Sequence, residues 1–207
     1  YIYYVKQLVF YKKQKTYANN NLDAIVHINT TDKGGGAARI AYDIFSFQQK
    51  QGNDSYMLVA DKKTQHMQVF EFEGNKSRTQ SMLTFAQKYL QWQDFFHLSS
   101  IRIIEHQVVQ KASIIHLHNL HSWNGFFSPF ALVQLSNQKR LLWTLHDMQA
   151  VTGHCAHSFD CKKWQIGCGN CPYLDIYPKL TKDTTSFIWK TKNAIYKKCN
   201  MHIVVPS

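Results

Sequence analysis

Apolar residues recur along the chain in two rhythms. Short runs, apolar on both faces of an extended backbone, fall at residues 24–29, 55–60, 113–118, 141–147 and 202–205. Runs of that length and density predict buried strands of a parallel sheet. A weaker run at 68–72 predicts a strand near a sheet edge. Between these runs the apolar spacing turns helical. It does so at 37–45, at 78–110 with a break near His97–Ser100, at 130–135 and at 184–198. Strand and helix alternate throughout, so the fold class predicted is α/β, a Rossmann-like doubly wound, mostly parallel sheet.

The predicted strands end in polar groups. After the first come Thr30-Thr31-Asp32-Lys33 and Gly34-Gly35-Gly36, followed directly by a helix. Glycines let backbone approach a phosphate, and the helix N-terminus supplies free N–H groups. After the 113–118 strand come Asn119 and His121, with His116 and His118 inside it. His116 is expected to be buried, and His118, Asn119 and His121 to meet a ligand. The 141–147 run closes on His146-Asp147. In a parallel sheet these three ends converge on one edge, where ligands sit. His146 suits a hydrogen bond to a sugar or phosphate, and its ring is expected to titrate near neutrality. Asp147 is expected to orient His146 or to cap the next turn.

Four cysteines follow at once, Cys155, Cys161, Cys168 and Cys171, spaced C-x5-C-x6-C-x2-C within a loop at 153–172. The Cys168-Gly169-Asn170-Cys171 turn has the spacing of a metal knuckle, and four thiolates suit structural tetrahedral zinc. The spacing fits none of the usual iron–sulfur runs. A disulfide-linked loop is the competing reading. His154 and His157 are spare ligand candidates, and Cys199 reads as an ordinary small residue.

Composition narrows the partners. The chain of 207 residues carries 24 Lys+Arg against 13 Asp+Glu, a formal charge of +11. That favours an anionic partner such as a nucleotide, a nucleic acid or an anionic membrane face. The longest apolar stretches are about five to seven residues, too short to span a bilayer. Residues 1–21 form a basic, aromatic lead-in, with Ile2, Val5, Leu8 and Val9 at helical spacing. A helix packed on the domain is the preferred reading there, ahead of one lying on a membrane. The lead-in lacks a signal peptide's apolar core, so a cytoplasmic location is expected, where clustered cysteines more often bind metal.

The stretches HINTTDKGGGAARIAYDIF, IIHLHNLH, LLWTLHDMQAVTGHCAHSFDCKKWQIGCGNCP and HIVVPS together resemble the N-terminal domain of family 4 glycosyltransferases. The likeness is greatest to bacterial enzymes of exopolysaccharide, colanic acid or O-antigen synthesis. It covers roughly residues 23–207. The resemblance implies a GT-B architecture, two Rossmann-like domains facing across a cleft. It implies retention of anomeric configuration and no catalytic divalent metal. It places Gly34, Gly35 and Gly36 near the donor phosphates and His146 at the transferred sugar. It puts His118 and Asn119 on the acceptor side, with a sugar nucleotide and a polysaccharide or lipid-linked acceptor as partners. The donor domain would follow residue 207, so this chain alone is expected not to turn over. The rival function is a zinc-stabilised, basic nucleic-acid-binding module. Scattered lysines, with much of the excess at 6–15 and 179–198, argue against it, and no nucleic-acid partner is expected.

Overall fold

The computed structural model describes residues 24–73, 78–92, 94–121 and 126–205. The lead-in at 1–21 lies outside the described residues. Among the described residues six strands form one sheet: β1 (Ala24–Thr31), β2 (Ser55–Asp61), β3 (Val69–Glu71), β4 (Ala112–Leu117), β5 (Arg140–Thr144) and β6 (Met201–Val204). Their order is β3-β2-β1-β4-β5-β6, and every pairing is parallel. That is the doubly wound Rossmann order, with its switch point between β1 and β4. The α/β expectation therefore holds, and β3 lies at an edge.

Among the described residues five α-helices connect the strands: α1 (Gly36–Lys50), α2 (Arg78–Leu90), α3 (Gln107–Lys111), α4 (Phe130–Gln138) and α5 (Thr185–Tyr196). The 78–110 segment breaks earlier than its periodicity implies. Gln91 and Asp94 adopt positive φ (56° and 64°), ending α2, and a 3-10 helix then runs over Leu98–Glu105. Local backbone reversal, which apolar spacing does not report, separates the two pieces. β5 is also shorter than the apolar run that predicts it. Leu145 still donates its N–H to Val204 O at 2.9 Å, but His146 and Asp147 already lie in the following turn.

Two apolar layers flank the sheet. Val26, Ile28, Leu58, Ile115, Leu117, Leu141 and Trp143 pack into the larger core with α4 and α5 residues such as Leu132, Leu135 and Ile188. Ala41 and Phe45 of α1 cover Met57 and Val59 on the other face. Side chains alternate along a strand, so His27 and Asn29 of β1 share the α1 side with Met57, opposite Val26 and Ile28. His27 pairs in register with His116 of β4. The α1 face of the switch point is thus polar, and the chemistry gathers there.

Candidate functional site at the switch point

The loop after β1 is shaped for close backbone approach. Gly34 and Gly35 take φ of 101° and 75°, where an L side chain would be strained. No heavy atom lies within 4 Å of where a Cβ would stand on Gly35 or Gly36. α1 starts beside this opening with no side-chain cap and no acidic residue in its first turn. Its first N–H groups and positive dipole end face the sheet edge, an arrangement suited to an anion. Asp32 anchors the loop from below by accepting hydrogen bonds from Lys63 N (2.7 Å) and Thr64 N (2.9 Å). Burial works against its ionisation, but these bonds and that of the Thr64 hydroxyl hold its carboxyl below the usual range.

The segment after β4 is stitched to β1. Asn119 N donates to Asn29 Oδ1 at 2.9 Å, Thr30 N to Asn119 O at 3.1 Å, and His118 N to Ile28 O at 2.9 Å. The Asn119 Oδ1 accepts from His121 N at 3.3 Å, leaving its amide N–H groups to donate elsewhere. Trp143 Nε1 donates to His118 O at 2.8 Å from β5. Three strand ends are thereby fixed relative to one another.

The histidines divide into two sets. His27 Nδ1 lies 3.0 Å from His118 Nε2, and His118 Nδ1 lies 3.1 Å from His146 Nε2. His116 packs against His118 with ring centroids 4.1 Å apart and planes tilted by 34°, and its Nε2 lies 2.8 Å from Thr144 Oγ1. Burial pushes His27 down to about 4 and His116 to about 3, the latter helped by neighbouring histidine charge. Burial lowers His118 and His146 as well. Burial moves His146 below the value of an exposed ring, with the charge of Asp147 opposing. His118 is buried with both ring nitrogens engaged, so it backs His146 and does not itself offer a nitrogen to a ligand.

The second set is His121 with Asp147. His121 Nε2 lies 2.7 Å from Asp147 Oδ2. Asp147 Oδ1 also accepts from Gln149 N at 2.9 Å. The capping role expected of Asp147 is present, but the histidine it orients is His121, not His146. Burial opposes ionisation of Asp147, yet the bond and charge of His121 and the Gln149 N–H hold its pKa below the usual range. The His121 side chain is 10% exposed, and its Nδ1 is buried with no hydrogen-bond partner among the described residues. A cavity of about 20 Å³, room for roughly one water, is lined by His118, His121, His146, Asp147 and Gln149. A larger groove of about 920 Å³, lined by residues such as Phe72, Leu98, Arg102 and His106, shares none of these side chains.

Four further residues hold this edge and were not singled out by sequence patterning: His27, Asp94, Gln149 and Lys192. Gln149 Nε2 donates to Asp94 Oδ2 at 3.0 Å. Lys192 of α5, fully buried and lowered by burial to about 8, donates to Gln149 O at 2.7 Å. Burial pushes Asp94 up, with the charges of His121 and Lys192 opposing. A lysine inside an otherwise apolar helical pattern reads as a solvated position, so only the fold reveals its partners.

The cysteine loop packs beneath the same edge. Cys155, Cys161, Cys168 and Cys171 are all free thiols, so no disulfide closes the loop. Gly153 N donates to Cys168 Sγ at 3.2 Å. Burial raises the Cys168 thiol to about 11, and the neighbouring cysteines push the same way. His154 Nδ1 donates to Pro178 O at 2.9 Å, which leaves its Nε2 bare at 3.5 Å from Cys171 Sγ. That tautomer is the one metal-ligating histidines adopt. The four sulfurs do not draw together into a tight cluster. Among the described residues, His27, His116 and His118 are the group whose ligand atoms lie within 4.8 Å of one another. Cys199 is buried just beyond the C-terminal end of α5, donating to Ile195 O at 3.3 Å, an ordinary packing residue.

Comparison with known proteins adds a relative. Over 186 residues the chain is 27% identical to an Escherichia coli K12 protein that carries the provisional name colanic acid biosynthesis glycosyl transferase WcaC. This chain is a homologue of that bacterial protein. The match covers 84% of the chain and 45% of the relative, so the chain spans less than half the length of the protein it matches. No family model matches the chain, and no solved structure matches it. An all-parallel sheet with this strand order is compatible with the N-terminal domain of a GT-B glycosyltransferase. No described helix is long and apolar enough to cross a membrane.

Proposed function

We propose that the chain is the N-terminal, acceptor-side domain of a retaining glycosyltransferase. The parent enzyme would transfer a sugar from a sugar nucleotide to a growing cell-surface polysaccharide or a lipid-linked acceptor. The observation that carries this reading is the pairing, at one switch-point edge, of an uncapped helix behind Gly34–Gly36 with a polar histidine cluster. The first suits a pyrophosphate, whose negative charge grows as the donor bond breaks. The second suits sugar hydroxyls, which need both donors and acceptors. The homologue's name points to the same class of chemistry.

In this reading His146 contacts the transferring sugar. Asn119 and His121 face the acceptor, with His121 held by Asp147. Transfer without a covalent nucleophile depends on holding both substrates in one closed cleft. The second wall, with most of the nucleotide site, would belong to a further domain.

We also propose that Cys155, Cys161, Cys168 and Cys171 bind structural zinc, with His154 able to replace one sulfur. The donor set fits: free thiols share one loop, and the His154 tautomer points a bare nitrogen at Cys171. A bound zinc would draw these ligands together and hold the loop against the sheet edge.

The nucleic-acid reading is separated by titrating the protein with sugar nucleotides and with DNA or RNA at two salt concentrations. Sugar-nucleotide binding that survives added salt supports the transferase reading. Nucleic-acid binding that falls steeply with salt would favour the alternative.

A further inference from the structure

We infer that Gln48, acting through His27 and His118, fixes the tautomer of His146 and leaves its Nδ1 bare as a hydrogen-bond acceptor at the sheet edge. The chain of contacts begins on α1. Gln48 Oε1 lies 2.8 Å from His27 Nε2 and also accepts from the Ser55 hydroxyl at 2.9 Å. An amide oxygen can only accept, so the proton of His27 sits on Nε2. A neutral imidazole has one N–H, so His27 Nδ1 is bare and must accept from His118 Nε2 at 3.0 Å. His118 Nδ1 is then bare in turn and accepts from His146 Nε2 at 3.1 Å. The proton of His146 is thereby assigned to Nε2, and its Nδ1 has a free lone pair.

Every link requires neutral rings. Burial of His27, His116 and His118 keeps them so, and His116, tilted against His118 and bonded to Thr144, closes the side of the row. A protonated His27 or His118 would place two donors face to face and break the order. Adjacent parallel strands supply the spacing. His27 and His116 are register partners, and His118 follows two residues along the same face.

The same three histidines could be read as a metal site. The hydrogen-bond pattern favours the relay: the facing nitrogens of His27 and His118 are directed at each other, and His116 Nε2 is directed at Thr144. Gln48 and His27 are positioning residues, since neither reaches the sheet edge. The consequence for His146 rests on the proposed function, in which that residue faces the sugar. A bare Nδ1 would then accept from a sugar hydroxyl.

The test is two-bond proton–nitrogen NMR on 15N-histidine-labelled protein near neutral pH. The expected pattern is His27, His118 and His146 all neutral with protons on Nε2. Gln48→Met removes the acceptor and shifts His146 to a mixture of tautomers. A wild-type His146 with its proton on Nδ1 overturns the proposal, and that result needs no variant to fold. An unchanged His146 signal in folded Gln48→Met also overturns it. So does stoichiometric zinc binding that perturbs the three buried rings, which would mark a metal site. In the full-length protein, Gln48→Met should lower kcat about tenfold at similar KM. A tautomer change without any change in transfer would leave the relay standing and remove His146 from the sugar site.

Discussion

His27 on β1 and His118 beyond β4 face each other ring to ring, with nitrogens 3.0 Å apart, although 91 residues separate them. Both are buried, and so is their neighbour His116, which makes their protonation a folding question. In the unfolded chain each titrates near the usual histidine value of about 6.5. In the fold, His27 is pushed down to about 4, His116 to about 3, and His97 beside α2 to about 4. Between those values the unfolded chain binds more protons than the folded one, so stability rises with pH there. Asp94, pushed up by burial, works in the opposite sense, but as one group against several. Urea midpoints should therefore be level between about 6.5 and neutral pH and fall steadily as pH drops towards 4. A midpoint independent of pH over that window would show that the histidines are not held neutral.

Much of this fold is legible in the residue pattern, because parallel strands buried on both faces leave dense apolar runs. The site is legible only in part. Gly34–Gly36, Asn119, His121, His146 and Asp147 follow strand ends, and the switch point collects them. His27 and Gln48 lie inside a strand and a helix. Their role depends on register between β1 and β4, which one sequence does not encode locally. The partner of Asp147 was equally hidden, since adjacency favours His146 while the turn after β5 aims the carboxylate at His121. The break of α2 at Gln91 and Asp94 depends on two left-handed residues that are not glycine.

Gly153 joins the cysteine loop to α5. A Cβ there would stand 2.5 Å from Thr185 O and 2.8 Å from Thr185 Cα, contacts that backbone cannot yield cheaply. Gly153→Ala should cost about 1–3 kcal/mol, as overpacking of tight sites does. It should also raise the reactivity of Cys168 towards thiol reagents by lifting the loop. Gly36→Ala, where nothing lies within 4 Å, serves as a control and should leave stability nearly unchanged. Thermal melts of the two variants decide the matter, and equal effects would contradict this packing.

The cysteine loop makes a compositional prediction. Protein purified under reducing conditions should carry about one zinc per chain, released with unfolding of the 153–172 region by a strong chelator. Replacing Cys168 and Cys171 together by Ser should abolish binding, while Cys199→Ser should not. Metal analysis that finds no zinc in freshly reduced protein, and no uptake when it is offered, contradicts the assignment.

The central claim is that His146 stands at a sugar-transfer site. The measurement that tests it most directly is transfer from a panel of sugar nucleotides to lipid-linked acceptors by the full-length protein. Wild type and His146→Ala are compared, and product anomers are read by NMR. Loss of a contact made mainly in the transition state should lower kcat by about two to three orders of magnitude, with folding intact and configuration retained in the wild-type product. On this account the 207-residue chain, which matches 45% of its relative, should not turn over unless a donor domain is supplied in trans. Near-wild-type turnover by His146→Ala, or robust transfer by this chain alone, would contradict the account.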